Sequence, residues 1–315
     1  MPIIPYTAHD FRPPYQRING SGELEVSWSQ LVAAAVTVGR ARWADVFRFG
    51  IHSWWELCLR AGIVFATLIE GPGGEVFQSD LYRFGLDPSE KGAVSYFLGL
   101  VASKVFANRV LGVIWLSHID LYSEQLRPVL LGTSRPDLAG DNQHGEWIVF
   151  ESKGRSGSFQ EAALDRAKEQ TRMVRSVSGQ EPVARIGAVT HFTGGRMQMT
   201  LSDPPKKHPK AVSIHLSLEK FLNQYYASLR QLVRTSGFKR MVVGGFAFLT
   251  VELPIVDLTV GLREDFVSDD VLVKPVHSIE QDDLYIGSDG ILVKLGPAWS
   301  KESMQKQPEE REWNR

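Results

Sequence analysis

Residues 135–155 read RPDLAGDNQHGEWIVFESKGR. The run WIVF, 147–150, has the β-branched and aromatic character of a strand inside a sheet, yet Glu151, Ser152 and Lys153 follow it at once. DNQHG, 141–145, reads as a turn between two short strands, roughly 135–141 and 146–153. A turn centred on His144 sets Asp137 opposite Glu151, because both lie equally far from the centre. Directly opposed residues have Cβ atoms about 4.5–5.5 Å apart. Side chains alternate faces along a strand, so Lys153 shares the face of Glu151 while Ser152 points away. The expected product is a patch of two carboxylates and one ammonium.

Two carboxylates so close repel each other unless something neutralises them. A hard divalent cation does so, and Mg²⁺ is typically held by one or two carboxylates plus substrate phosphate. A neighbouring lysine adds a positive charge that holds phosphate or works on a water. Carboxylate pair, metal, lysine and water together suffice for phosphodiester hydrolysis. The plainer reading is a turn aspartate beside a Glu151–Lys153 ion pair at a strand end.

Outward from this stretch the order of elements decides between the two. LDPSEKG, 86–92, opens a helix: Asp87 suits the N-cap, Pro88 the first turn, and Glu90 closes a capping box. That helix runs through AVSYFLGLVASKVFANRVL, and LGVIWLSHIDLY, 111–122, is a strand. After the two strands around DNQHG comes a polar helix, FQEAALDRAKEQTRMVRSV, and then the strand PVARIGAVTHF. From 88 to 192 the order is helix, three strands, helix, strand.

Pro136-Asp137 followed by Glu151-Ser152-Lys153, within that order, resembles the signature of the PD-(D/E)XK nuclease superfamily. ESKGR followed by AKEQ is also similar to segments of bacterial members. The resemblance covers about a third of the chain. It implies an α/β protein with a restriction-endonuclease-like αβββαβ core and Mg²⁺- or Mn²⁺-dependent cleavage of nucleic acid, DNA first, as an endonuclease or exonuclease. By the match, Asp137 and Glu151 are metal ligands, the carbonyl of Ser152 is a further ligand, and Lys153 orients or activates the water. The family often carries a glutamate on its first helix, which makes Glu90 a metal ligand on one reading and only a helix cap on the other. Gln170 corresponds to a glutamine that some members point into the site, although Val174 stands where those members have tyrosine.

Arg155 and Arg166 are candidates for substrate phosphate. His118, which shares a strand face with Asp120, is a candidate to line the site. Arg172 and Arg175 read as a solvated helix face. The basic segment PPKKHPK, 204–210, reads as a linker. No GxxxxGK[ST] loop or GxSxG elbow is present, and one cysteine with scattered histidines excludes a typical zinc cage.

The regions expected are an N-terminal arm and helical part, 1–87, the nuclease-like core, 88–203, a smaller α+β C-terminal part, 204–299, and a flexible tail, 300–315. Residues 1–22, rich in Pro and Gly, read as an irregular arm. Residues 27–70 read as helical, with Trp28, Trp43, Trp54 and Trp55 in a core or interface. The net charge of −1 announces no global nucleic-acid field, so any such contact is local. The single Cys58, a start without the basic and apolar run of a signal peptide, and a longest apolar stretch (62–71) too short for a span point to the cytoplasm with no membrane partner. A homodimer is allowed. The alternatives are a non-catalytic binding or scaffold protein on the same fold, and an RNA nuclease.

Overall fold

The computed structural model describes residues 1–38, 51–119, 136–142, 144–204, 207–268 and 274–305, with backbone alone for 51–53. Strands β1 (Ile3–His9) and β2 (Gly20–Glu25) open the chain, followed by helices α1 (Trp28–Thr37) and α2 (Ile51–Thr67). Short strands β3 (Leu68–Glu70) and β4 (Val76–Gln78) and a π-helical turn (Leu81–Gly85) lead into α3 (Pro88–Leu111). Then come β5 (Val113–His118), β6 (Leu138–Asn142), β7 (Trp147–Gly154), α4 (Glu161–Arg172), β8 (Val174–Val177), β9 (Ala184–Thr193), β10 (Arg196–Ser202) and β11 (Val212–Ile214). Helix α5 (Leu218–Thr235) precedes β12 (Lys239–Val243), β13 (Phe246–Leu253), β14 (Leu258–Arg263), β15 (Ile279–Glu280), β16 (Leu284–Ile286), β17 (Ile291–Leu295) and α6 (Lys301–Gln305).

The protein is a mixed α/β structure with a large mixed sheet and a separate antiparallel sheet. Among the described residues the large sheet runs β2-β1-β10-β9-β7-β6-β5, with β3 and β4 joined at β10. β5, β6 and β7 are antiparallel neighbours, and β9 lies parallel to β7. The second sheet runs β12-β13-β14-β17-β16-β15. The helix, three strands, helix and strand expected from 88 to 192 are all present in that order, with the short β8 added.

Helix α3 forms for the reasons its sequence gives. Asp87 accepts from the amides of Ser89 and Glu90 while Glu90 accepts from the Asp87 amide, and Gly112 closes the helix in the left-handed conformation. By length and composition α3 could cross a membrane, but 72% of its apolar window is buried inside the protein, against β7, β9 and α1. Phe97, Leu98, Val101 and Phe106 lie in a core that extends from Ile4 to Met304. Burying one such side chain contributes about 1.5–3 kcal/mol relative to exposure.

Several expectations are corrected. Residues 1–22 are not irregular: β1 pairs parallel with β10 and antiparallel with β2. Pro5 is tolerated because the ladder to β10 begins only at Tyr6↔Met199, so its missing N–H costs nothing on that side. The polar helix ends at Arg172, and Val174–Val177 turns into a strand paired with β11, which puts Arg175 on β8 rather than on a helix. Trp28 is buried but Trp55 is 49% exposed. Trp43, Asp120, residues 39–50, most of the connection after β5 and the tail from 306 lie outside the described residues.

A buried polar bridge ties the second sheet to the core. Asp289, in the turn between β16 and β17, accepts from the Tyr225 hydroxyl at 2.5 Å, and that hydroxyl accepts from Lys104 Nζ at 2.7 Å. Tyr226 donates to the Asp289 carbonyl at 2.7 Å and accepts from the Trp115 indole at 2.8 Å. Burial pulls the Lys104 ammonium down to about 8, partly offset by Asp289, and the same burial raises the Asp289 carboxyl. The sequence reading missed this bridge, although a lone lysine inside the apolar run LVASKVF was a signal for it.

Candidate functional site

The β6–β7 hairpin has the register set by a turn centred on His144. Leu138 faces Phe150, Ala139 faces Val149, Gly140 faces Ile148 and Asp141 faces Trp147. Asp137, one residue before β6, therefore comes against Glu151. Its amide donates to Glu151 Oε2 at 2.9 Å, and its own Oδ2 accepts from the Ser152 amide at 3.2 Å. Lys153 Nζ bonds Glu151 Oε1. The three groups singled out in the sequence do converge.

The two faces of β7 are covered by different helices. Glu151 is paired with Gly187 of β9, where a Cβ would lie 2.8 Å from the Lys168 amide, so α4 covers the face that carries Glu151. Ser152 points the other way and its Oγ accepts from Ser103 of α3 at 3.0 Å. Only the backbone of Ser152 is thus turned to the carboxylates. At the next step along β7, a Cβ on Gly154 would sit 1.7 Å from the Ser95 carbonyl, so α3 and β7 can approach this closely only over glycine.

Electrostatically the site is under tension. The Glu151 side chain is 0% exposed, while Asp137 keeps 18% and Lys153 32%. Burial first, and the Asp137 charge second, push the Glu151 carboxyl up to about 7, against the pull of Lys153 and the Asp137 amide. A buried acid of this kind lacks positive charge, and the Lys153 ammonium supplies only part of it. Two facing carboxylates fit Mg²⁺, which keeps several waters and needs few protein ligands.

The other candidates separate. His118 is nearly buried at the end of β5, with Nε2 4.0 Å from Asp137 Oδ1, so it borders the site. Glu90 is exposed and its carboxylate closes the capping box; the cap is the role the structure gives it. Consistent with that, no group of three or more His, Cys, Asp or Glu is arranged to hold a metal among the described residues. Gln170 is half-buried on α4, just past the contact of Ala167 with β9. Arg155 is half-buried where β7 leaves the sheet, its amide bonded to the Thr190 carbonyl at 2.9 Å. Arg166 stands exposed on the outer side of α4 and is not drawn to the carboxylates.

Comparison of the chain with protein-family models, with curated proteins and with solved structures finds no match in any of the three. The functional reading therefore rests on the residues and their geometry.

Proposed function

We propose that the protein is a metal-dependent nuclease that hydrolyses phosphodiester bonds in DNA, on a PD-(D/E)XK-type αβββαβ core. The observation that carries this reading is Glu151: a fully buried carboxylate, opposite Asp137, with Lys153 as its only side-chain cation among the described residues. A structural ion pair alone gives no reason to bury that acid beside a second one, since the like charge destabilises it.

In this reading Asp137, Glu151 and the Ser152 carbonyl hold Mg²⁺ or Mn²⁺. The bound ion supplies Lewis acidity to the phosphoryl oxygen and lowers the pKa of water. Lys153, bonded to Glu151 in this structure, would donate to the attacking water and to the phosphate. The attacking water gives up a proton to bulk water as its oxygen forms the new bond to phosphorus, and the opposite ester oxygen departs with the electron pair, taking a proton from solvent. Arg155, at the strand exit, pairs the flanking phosphate. His118 positions Asp137, and Gln170 borders the water from α4.

The test is cleavage of plasmid, short single-stranded DNA and RNA with Mg²⁺. Asp137→Ala and Lys153→Ala should each lose about 10²-fold or more, as expected when a group acting on the reacting water is removed. Equal activity in wild type and both variants would mean a contaminating nuclease and end the assignment. A preference for RNA would change the substrate and leave the site.

One observation favours a second reading, a non-catalytic binding or scaffold protein on this fold: the acid set is thin, with two carboxylates at the site among the described residues and Glu90 used in a cap. A protein of that kind would not bind Mn²⁺ at millimolar concentration.

A further inference from the structure

A cavity of about 660 Å³ lies where the large sheet meets the second one. Its wall takes Trp28 from the first turn of α1, Glu70 from the end of β3, Leu295 from the end of β17, Trp299 from the turn Pro297–Trp299 and Lys301 from α6. None of the candidate-site residues lines it. Small-molecule sites span about 300–1,000 Å³, so the volume suits one. The wall is held by bonds within the protein. The Trp299 indole donates to the Val256 carbonyl at 2.7 Å, and Phe65 meets its ring edge-on at 5.0 Å. The Leu295 amide donates to the Asp283 carbonyl at 2.7 Å, and the Ser29 hydroxyl donates to the Gln281 carbonyl at 3.4 Å.

Glu70 sets the chemistry of this cavity. Its side chain is 6% exposed, and its two side-chain partners among the described residues are both distant. The Trp28 indole donates to Oε2 at 3.4 Å, and Lys301 Nζ lies 3.6 Å from Oε1. A carboxylate offers about four acceptor positions, so most of this one's capacity is open. Lys301 is 71% exposed and keeps its own contact with water, so it compensates the buried charge weakly. The ladder of β3 with β4 is made by backbone groups and asks for no acid at this position. A buried carboxylate is costly unless it is paired and hydrogen-bonded. Around Glu70 the wall is apolar through Trp28, Leu295 and Trp299, which are all buried. The remaining charged groups on the wall, Asp282, Asp283 and Lys294, are exposed, so Glu70 is the charge that an occupant meets away from water.

We infer that this cavity binds a small organic cation, an ammonium group on an apolar body. Glu70 is its counter-ion, and Trp28, Leu295 and Trp299 surround the body, with tryptophan suited to both the cation and the hydrocarbon. Lys301 competes with the ligand for the same carboxylate. The site is separate from Asp137 and Glu151 and does not depend on the nuclease reading.

The experiment is calorimetric titration of phenethylammonium, cyclohexylammonium and tetraethylammonium into the full chain, with 2-phenylethanol and phenylacetate as neutral and anionic controls. At least one ammonium ion should bind at millimolar concentration, and both controls should bind about tenfold more weakly or not at all. Glu70→Gln keeps the shape of the side chain and should weaken the ammonium about tenfold or more, with thermal unfolding to confirm that it is folded. Lys301→Ala, at an exposed position, should hold the ammonium as tightly as wild type or up to about fivefold more tightly, because a competing cation is gone. Asp137→Ala should leave the affinity unchanged. No binding by any of the three ammonium ions, equal binding of 2-phenylethanol, or a folded Glu70→Gln with unchanged affinity overturns the inference. Phenylacetate bound in preference and weakened by Lys301→Ala would make the cavity an anion site and overturn it as well. Affinity lost in Asp137→Ala would move the ammonium to the carboxylate pair and dismiss the cavity. Should Glu70→Gln fail to fold, the preference of wild type for ammonium over alcohol and the direction of the Lys301→Ala change decide.

Discussion

The amide of Asp137 donates to Oε2 of Glu151 at 2.9 Å, across the open end of the β6–β7 hairpin. This bond fixes the two acids face to face, and the Ser152 amide returns it by donating to Asp137 at 3.2 Å. Two neighbouring strands thus use their own backbones to hold a carboxylate pair that repels itself. The cost of that arrangement falls on Glu151, whose carboxyl is pushed up to about 7.

The first consequence concerns stability. Glu151 ionises near 4.5 when unfolded and near 7 when folded, so the folded state binds the extra proton between those values. Its contribution to stability is full below about pH 4.5, falls as pH rises through 7, and is flat above. Glu151→Gln removes this penalty and should raise the stability of the metal-free protein at pH 8 by up to about 3 kcal/mol, with no gain at pH 4.5. Thermal midpoints of the two proteins across pH 4.5–8.5 measure it. A variant that is less stable than wild type at pH 8 would show that the pair with Lys153 outweighs the burial.

A cation and a proton compete for the same carboxylate. Mn²⁺ affinity should therefore tighten as pH rises toward 7, by about tenfold per unit well below that value, and level off above it. Titrations at pH 5.5, 6.5, 7.5 and 8.5 give the profile, and a flat one would place the ion away from Glu151.

Glu90 gives a contrasting expectation. Because its carboxylate closes the cap of α3, Glu90→Ala should cost about 0.3–1.5 kcal/mol of stability and leave Mn²⁺ affinity unchanged. Unfolding by urea and a metal titration on the same variant separate the two roles. A large loss of affinity with intact stability would restore Glu90 as a ligand.

How far the site could be seen in the sequence depends on how local its causes are. The hairpin register follows from a turn and alternation over some fifteen residues, so the facing of Asp137 and Glu151 was legible. So was the capping box of α3, which needs only Asp87, Pro88 and Glu90. The N-terminal strands were not, because β1 exists through its pairing with β10, nearly two hundred residues later, and its Pro5 reads as a breaker. Strand β8 was hidden in the same way, since VRSV continues a helical pattern and is made a strand by β11. The bridge of Lys104, Tyr225 and Asp289 draws one residue from each of three distant segments, and no spacing rule joins them.

That bridge has its own signature. Lys104→Met leaves the Asp289 carboxylate buried with one cation fewer and should cost about 3–5 kcal/mol. Adding Asp289→Asn should return much of the loss, so the double variant is more stable than the single one. Urea unfolding of wild type, the two single variants and the double variant closes the cycle, and strictly additive losses would mean that the two groups do not couple.

The most direct test of the account is a calorimetric titration of Mn²⁺ into the protein at pH 8, repeated with Asp137→Ala and Glu151→Gln. The account predicts binding in the wild type at millimolar concentration or better, and none in either variant while both remain folded. No binding in the wild type, or equal binding in all three, would contradict a metal held between Asp137 and Glu151.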